Sequence, residues 1–429
     1  MQAKQFYNIC NHIKKLIKGT EYEHHVYAVG GCIRSITLGV DIKDIDLCVD
    51  IPNGGILFSE WMKENGHTEG DVVVYPQYGT AMFRLKDFPT EEIEVVQTRK
   101  EQYRDKNSRN PETVFGTLEE DCFRRDFCCN SLYMNISDGL IKDITRMGYC
   151  DITNKIIRTT NDPYIVFNDD ALRIMRACRF QAQLGFKIEE RTLKGMKDNA
   201  HRIQTIVRER ITDEFCKLLL SPFVSDGLKT MNEVGLFKYI TPELIGVQGK
   251  IPSINKICSI ICKTRPKLEL RFAAFFYDYY DSENTNVKNT LENRFKLPRK
   301  IIDETNFLID NRDKFIEWGK DLENVDKVLF RRYQYEFGYQ RMDKLLNLIE
   351  AENFLEGQFK HLRWLDFNQM DYGMYGYKLP ITGNDVMEIK HIEPCEKVKL
   401  YLDYLLHNVF ENPELKREDL IKILRETDF

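Results

Sequence analysis

Apolar residues recur at three- and four-residue steps from the start of the chain, where Phe6, Ile9, Ile13 and Ile17 predict a packed amphipathic helix within MQAKQFYNICNHIKKLIKG. Short β-rich runs follow: VYAVGG, DIDLCVD, DVVVY, TAMFRL and EIEVVQT. Mixed with helical stretches, they predict one α/β or α+β unit over roughly the first 150 residues. From about residue 165 the period becomes helical, with Ala171, Ile174, Met175, Cys178 and Ala182 spaced for one face of FNDDALRIMRACRFQAQLGF. DEFCKLLL and VKLYLDYLLHNVF continue it, while Pro222, Pro242, Pro252, Pro266, Pro298 and MDYGMYGYKLP divide the region into short helices. No internal repeat of fixed period stands out.

Composition narrows the class. The 429 residues, 42% hydrophobic and 30% charged, suit a soluble globular protein, and no apolar run reaches the roughly 18 to 20 residues of a membrane helix. The basic N-terminus lacks a signal peptide's apolar core. Twelve scattered cysteines without a CxxC pair predict reduced thiols in the cytoplasm and argue against a zinc site. The net charge of −5 speaks weakly against nucleic acid, but RKEQYRDKNSR (99–109) carries five basic residues against two acids. It could follow a phosphate backbone or be a solvated loop.

The candidate chemistry sits in VGGCIRSITLGVDIKDIDLCVD (29–50). Gly30 and Gly31 let backbone amides approach an anion, and Arg34 adds a cationic fork. Asp44 and Asp46, two apart on a strand, project from one face while Ile45 enters the core. Carboxylates so placed repel unless a cation lies between them, and oxygen ligands on a strand suit Mg²⁺ completed by substrate phosphates. Phosphate on one side and metal on the other describe nucleotidyl transfer. The alternative is a glycine turn beside a solvent-facing acidic strand end.

The rest of the chain bears on that choice. GGCIRSITLG with DIKDIDL resembles the GGxVRDxLLG and DxD elements of the class II tRNA nucleotidyltransferases, the CCA-adding enzymes, and of the related bacterial poly(A) polymerases; Ser35 stands where the family has aspartate. TRKEQYRDKNSRNPETVFGTLEEDCFRRDFCCNSLYMN is similar to the family's flexible loop and RRDFTINAL element, which implies that Arg124, Arg125, Asp126 and Asn130 meet the ribose and triphosphate. DPYIVFNDDALRIMRACRFQAQLGF resembles the EDxxR element, so Asp169, Asp170 and Arg173 are implied at the incoming base. A carboxylate can accept from the amino group shared by cytosine and adenine, and an arginine can donate to ring acceptors. Asp170 and Arg173, three apart, are expected to share a helix face. Glu94 in IEVVQTR falls where the family's EVxTxR implies a third metal-side carboxylate. HRIQTIVRERITDEFCKLLLSP is similar to the ERIxxEL segment, with Glu209 and Arg210 bracing helices. Taken without the resemblance, RRD would be a surface salt-bridge cluster and Asp170 with Arg173 a surface ion pair.

The resemblance implies an α+β fold: a catalytic head with a mixed β-sheet and helices over 1–150, then an all-α elongated array, a helical neck with the base-reading element over 151–245, a helical body over 246–370 and a tRNA-binding helical tail over 371–429. It implies CCA addition to the acceptor end of tRNA from CTP and ATP with two Mg²⁺ ions held by Asp44 and Asp46, in the cytoplasm, with no membrane or protein partner. The alternatives are a CC-adding or A-adding enzyme, a poly(A) polymerase, or a non-catalytic tRNA-binding protein. The loop at 100–116 speaks against the CC-only form. In LRFAAFFYDYYD, Tyr277 and Asp278 stand where some relatives carry a His-Asp metal pair, which favours a structural helix over a second hydrolase.

Overall fold

A computed structural model describes residues 1–102, 112–246, 251–277, 287–319, 326–353 and 374–429. Most of the basic stretch and loop at 99–116 lies outside them, as do Asp278 and residues 370–373. The chain divides into two compact units, Met1–Lys250 and Ile251–Phe429.

The first helix, α1 (Ala3–Ile17), buries Phe6, Ile9, Cys10, Ile13 and Ile17, the face that the spacing predicts. Five strands coincide with the β-rich runs: β1 (Val26–Val29), β2 (Ile45–Val49), β3 (Val73–Tyr75), β4 (Thr80–Leu85) and β5 (Phe88–Gln97). Two helices lie among them, α2 (Gly31–Leu38) and α3 (Gly54–Glu64). A β-ribbon, β6 (Arg99–Gln102) with β7 (Glu112–Phe115), leads to α4 (Leu118–Phe123), β8 (Leu132–Asn135) and β9 (Ile141–Asp143).

Seven of these strands form a sheet in the order β3-β4-β5-β2-β1-β8-β9. Its β2–β5 pair is parallel and its other pairs are antiparallel. A parallel pair needs a crossover, and α3 lies on it. Gly55 is what lets α3 seat closely: a Cβ there would meet the Gly79 carbonyl oxygen at 2.7 Å and the Val96 backbone at 2.9 Å.

The helical part of the first unit begins with α5 (Gly148–Thr153), followed by a short parallel pair, β10 (Ile156–Ile157) with β11 (Lys187–Ile188). Between those strands lie α6 (Pro163–Asp169) and α7 (Leu172–Leu184). Then come α8 (Glu190–Asn199), α9 (Arg208–Leu219) and α10 (Val224–Glu233). Ala171, Ile174, Met175, Cys178 and Ala182 are all buried, as their spacing predicts. The α7–α10 contact is close because Gly227 carries no side chain; a Cβ would meet the Cys178 carbonyl oxygen at 2.7 Å and Ala182 Cβ at 3.0 Å.

The second unit is helical among its described residues, with helices at Ile254–Lys263, Leu268–Phe275, Arg299–Gly319, Lys327–Asn353, Gly383–Lys390, Glu396–Glu411 and Arg417–Glu426. Lys327–Asn353 breaks at Gly338 (φ +72°), where the chain leaves helical geometry. Val386, Tyr401, Leu405, Val409, Leu420 and Leu424 form one core of its C-terminal part. Tyr277 is buried, with the Arg312 guanidinium 3.9 Å from its ring centroid. The twelve cysteines are free thiols. No described helix is long and apolar enough to cross a membrane.

Candidate active site

The four residues of β1 are buried, and the chain leaves the sheet at Gly30 with φ +74° before α2 starts at Gly31. A Cβ on Gly30 would lie 3.6 Å from Asp46 Oδ2 and 3.8 Å from Arg125 Nη1, ordinary contact distances. The left-handed backbone, then, rather than lack of room, favours glycine. The same distances show that the turn, a carboxylate and a guanidinium converge.

Asp46 lies on β2, directly opposite Glu94 in the parallel register with β5, and Asp44 stands exposed just before the strand. Burial first, then the Glu94 and Asp44 charges, push the Asp46 carboxyl up to about 6, while Arg125 pulls it back. Three acids so close leave the site short of positive charge. Among the described residues, no His, Cys, Asp and Glu group of three or more closes into a metal cage. Carboxylate oxygens on and beside the interior strands β2 and β5, incomplete by themselves, suit Mg²⁺, which takes its other ligands from water and phosphate.

Beside the acids lies a group of arginines. Thr117 and Glu120 form a capping box at the start of α4, placing Asp121 inside its first turn. Buried Asp121 accepts hydrogen bonds from Arg125 Nε (2.9 Å), Tyr133 Oη (2.7 Å) and the Arg99 backbone amide (3.2 Å), and Arg124 Nε lies 3.7 Å away. Burial alone would raise its pKa, but Arg125 and Arg124 outweigh that and lower it. Arg125 also packs 5.0 Å from the Tyr133 ring centroid. Burial lowers the pKa of Arg99, and Arg124 adds to the effect; its Nη2 donates to Thr80 Oγ1 (2.8 Å).

Asp126 and Asn130 are both buried, Asn130 in the short turn Cys128–Asn130. Asn130 accepts a hydrogen bond from Arg34 Nη1 and donates to Asp126 Oδ1 at 3.3 Å. Arg176 donates to Asp126 Oδ2 from Nε (2.8 Å) and Nη2 (2.6 Å). Burial would raise the Asp126 pKa, and Arg176 brings it below the usual value. Nothing in the structure explains the serine at position 35.

The expectation for Asp170 and Arg173 needs correction. They do not share a helix: α6 ends at Asp169, Asp170 is extended, and α7 starts at Leu172. Asp170 instead caps α7, its Oδ1 accepting from the Leu172 amide (3.0 Å) and its Oδ2 from Arg210 Nη2 (2.9 Å). An aspartate capable of capping competes with helix continuation, which is why the helical spacing misleads. Arg173 is buried, donating to the carbonyls of Val166 (3.1 Å) and Arg124 (2.7 Å), so it ties α7 to the segment after α4. Asp169, half-buried, is the last residue of α6.

The structure therefore brings Gly30, Asp46, Glu94 and Arg125 together, with Arg34, Asn130 and Asp126 in one hydrogen-bonded chain. Asp121, Arg176, Phe180 and Glu214 escape the sequence reading. Arg176 and Phe180 follow Arg173 at helical steps, and Glu214 is the third acid of RERITDEF, so a signal existed for these three.

Comparison with known proteins adds two family models. Residues 26–158 match the poly A polymerase head domain, and residues 185–246 the probable RNA and SrmB-binding site of polymerase A. A CCA-adding enzyme of Anoxybacillus flavithermus is 30% identical over 315 residues, 71% of this chain and 74% of the relative. A tRNA nucleotidyltransferase of Schizosaccharomyces pombe is 25% identical over 96% of this chain and 93% of its own. The fold is similar to the crystal structure of the Bacillus stearothermophilus CCA-adding enzyme in complex with CTP: TM-score 0.74, 23% identity, 99% of this chain and 98% of that one.

Proposed function

Because the chain belongs to the CCA-adding enzymes, the class II tRNA nucleotidyltransferases, we propose that it adds CCA to the 3′ end of tRNA without a template, from CTP and ATP. The observation that carries the reading is the facing of Asp46 and Glu94 across β2 and β5, beside the Gly30 turn and Arg125. Acids starved of positive charge next to guanidiniums suit a nucleoside triphosphate and its cation. The relatives' names supply the tRNA and the CCA product.

In the reaction, the tRNA 3′-hydroxyl attacks the α-phosphate, a new P–O bond forms, the bond to the β-phosphate breaks and pyrophosphate leaves. Asp44 and Asp46 would hold Mg²⁺, with Glu94 as a third carboxylate. Two bound ions would lower the pKa of the attacking hydroxyl and neutralise the leaving pyrophosphate. The amides after Gly30 and Gly31, with Arg34, Arg124 and Arg125, orient the phosphates. Asn130 and Asp126, on the ribose side, hold Arg34 through hydrogen bonds. Asp170, next to Asp169, offers an acceptor to the base amino group, and Arg173 a donor once it releases a backbone carbonyl. Most of the rate comes from positioning and charge neutralisation. We assign the catalytic head to 1–150, the neck to 151–245, the body to 246–370 and the tRNA-binding tail to 371–429.

The test is to incubate the protein and Mg²⁺ with tRNA transcripts lacking A, CA or CCA, with single nucleotides, and to resolve products on a gel. C, C and A followed by arrest is expected. Arrest after CC or a requirement for a CC end would identify a partial enzyme, and long A tails a poly(A) polymerase. Asp44→Ala and Asp46→Ala should each abolish addition while leaving tRNA binding intact; substantial residual activity in either removes the assignment.

A further inference from the structure

One ionic chain, its carboxylates Glu214 and Asp126 both buried, runs from α9 to Arg34. Glu214, on α9 and 5% exposed, accepts from Arg179 Nε, and its other oxygen lies 3.7 Å from Arg176 Nη1. Arg176 grips Asp126 with two donors, Asp126 accepts from Asn130, and Asn130 accepts from Arg34. The three arginines of this chain also surround one ring: Phe180 has the Arg179, Arg34 and Arg176 guanidiniums 4.0, 5.3 and 5.4 Å from its centroid. Both carboxylates and Arg179 are buried while the Arg176 side chain is 36% exposed, so removing one carboxylate leaves buried positive charge unanswered and makes the guanidiniums redistribute. Arg34 has few other anchors, because its buried Nε has no hydrogen-bond partner. α9 carries Arg210 one turn before Glu214, and Arg210 pairs with Asp170. One helix thus touches the base-side acid and, through the ionic chain, the phosphate-side arginine.

We propose that Glu214 is a positioning residue for nucleotide binding, fixing Arg34 through Arg176, Asp126 and Asn130 so that its guanidinium meets the triphosphate common to CTP and ATP. The inference rests on the assignment of Arg34 to the triphosphate. Its sign distinguishes it from a general charge effect. Loss of the Glu214 charge makes the region more positive, which by itself tightens binding of an anion; loss of positioning weakens it.

The experiment measures CTP and ATP affinity of the full chain by calorimetry without tRNA, together with KM and kcat for single-nucleotide addition, for the wild type and Glu214→Gln. The Gln variant keeps the shape and one acceptor, and its thermal melt monitors folding. Expected is a loss of affinity of about tenfold, equal for CTP and ATP, with a matching rise in KM and little change in kcat. In an Arg34→Lys background the same substitution should change affinity less than about twofold, because coupled residues do not add. Unchanged or tighter binding by a folded Glu214→Gln protein, an effect confined to one nucleotide, or additive losses in the double variant would overturn the proposal. If Glu214→Gln fails to fold, Arg176→Lys, which keeps the charge and loses the two-donor grip, must show the same equal loss for both nucleotides, and its absence overturns the proposal. A wild-type protein that binds neither nucleotide would instead remove the function reading itself.

Discussion

Asp46 shows how a single residue carries two opposed demands. Its folded carboxyl is raised to about 6 from 3.8, burial first and Glu94 next. Between those values the folded protein binds more protons than the unfolded chain, so this group's contribution to stability falls as pH rises through that window. Above it the destabilisation is complete unless a cation answers it. In the absence of divalent metal, Asp46→Asn should therefore be neutral near pH 4 and stabilising by about 1–2 kcal/mol at pH 7, after a discount for partial exposure. Adding Mg²⁺ should stabilise the wild type and close the gap. Denaturant titrations at both pH values check this, and a difference independent of pH and metal would rule it out. Asp121 and Asp126 are shifted the other way, and their contribution is present above about pH 4 and lost on acidification.

Among the elements, α7 bears most on the site, since it presents Arg173, Arg176 and Phe180 to the segment 124–130 and packs its other side on α10. Gly227 sets how near α10 can come. Gly227→Ala places a methyl group against the Cys178 carbonyl and should cost about 1–3 kcal/mol through overpacking. If α7 shifts in relieving that clash, nucleotide affinity should fall with stability. Urea denaturation and CTP binding on the same preparation test both, and an unchanged melting curve would mean the helices separate at no cost. Gly30 differs in kind: its neighbours leave room for a methyl group, and the φ of +74° is what Ala must strain to adopt.

The whole chain resolves into two compact units that meet in sequence at residue 250. All the candidate nucleotide-binding residues, from Gly30 to Arg173, and Glu214 with them, lie in the first unit. A fragment of residues 1–250 should therefore melt cooperatively and bind CTP with Mg²⁺, while its tRNA affinity falls if the second unit supplies the tRNA-binding tail. A fragment that is unfolded by circular dichroism would show that the first unit depends on the second.

What the chain's order of residues determines by itself is local. Alternation and three- to four-residue spacing place α1, β1 to β5 and the buried face of α7, because side-chain direction follows from backbone period alone. The strands β8 and β9 escape that reading: LYMN is buried throughout and IKD is only three residues long, so neither shows the alternation of a half-buried strand. GGCIR, DID and RRD mark the acids and bases of the site. Only the tertiary structure decides how they are paired. The parallel register of β2 with β5 puts Glu94 opposite Asp46 across forty-eight positions of sequence. The turn at Asp170 separates Asp170 from Arg173 and hands the acid to Arg210 on another helix. Glu214 reaches Arg34 only through three intervening side chains. Such partners are fixed by distance in space and by the need of each buried charge for a counter-charge, and neither leaves a period in the sequence.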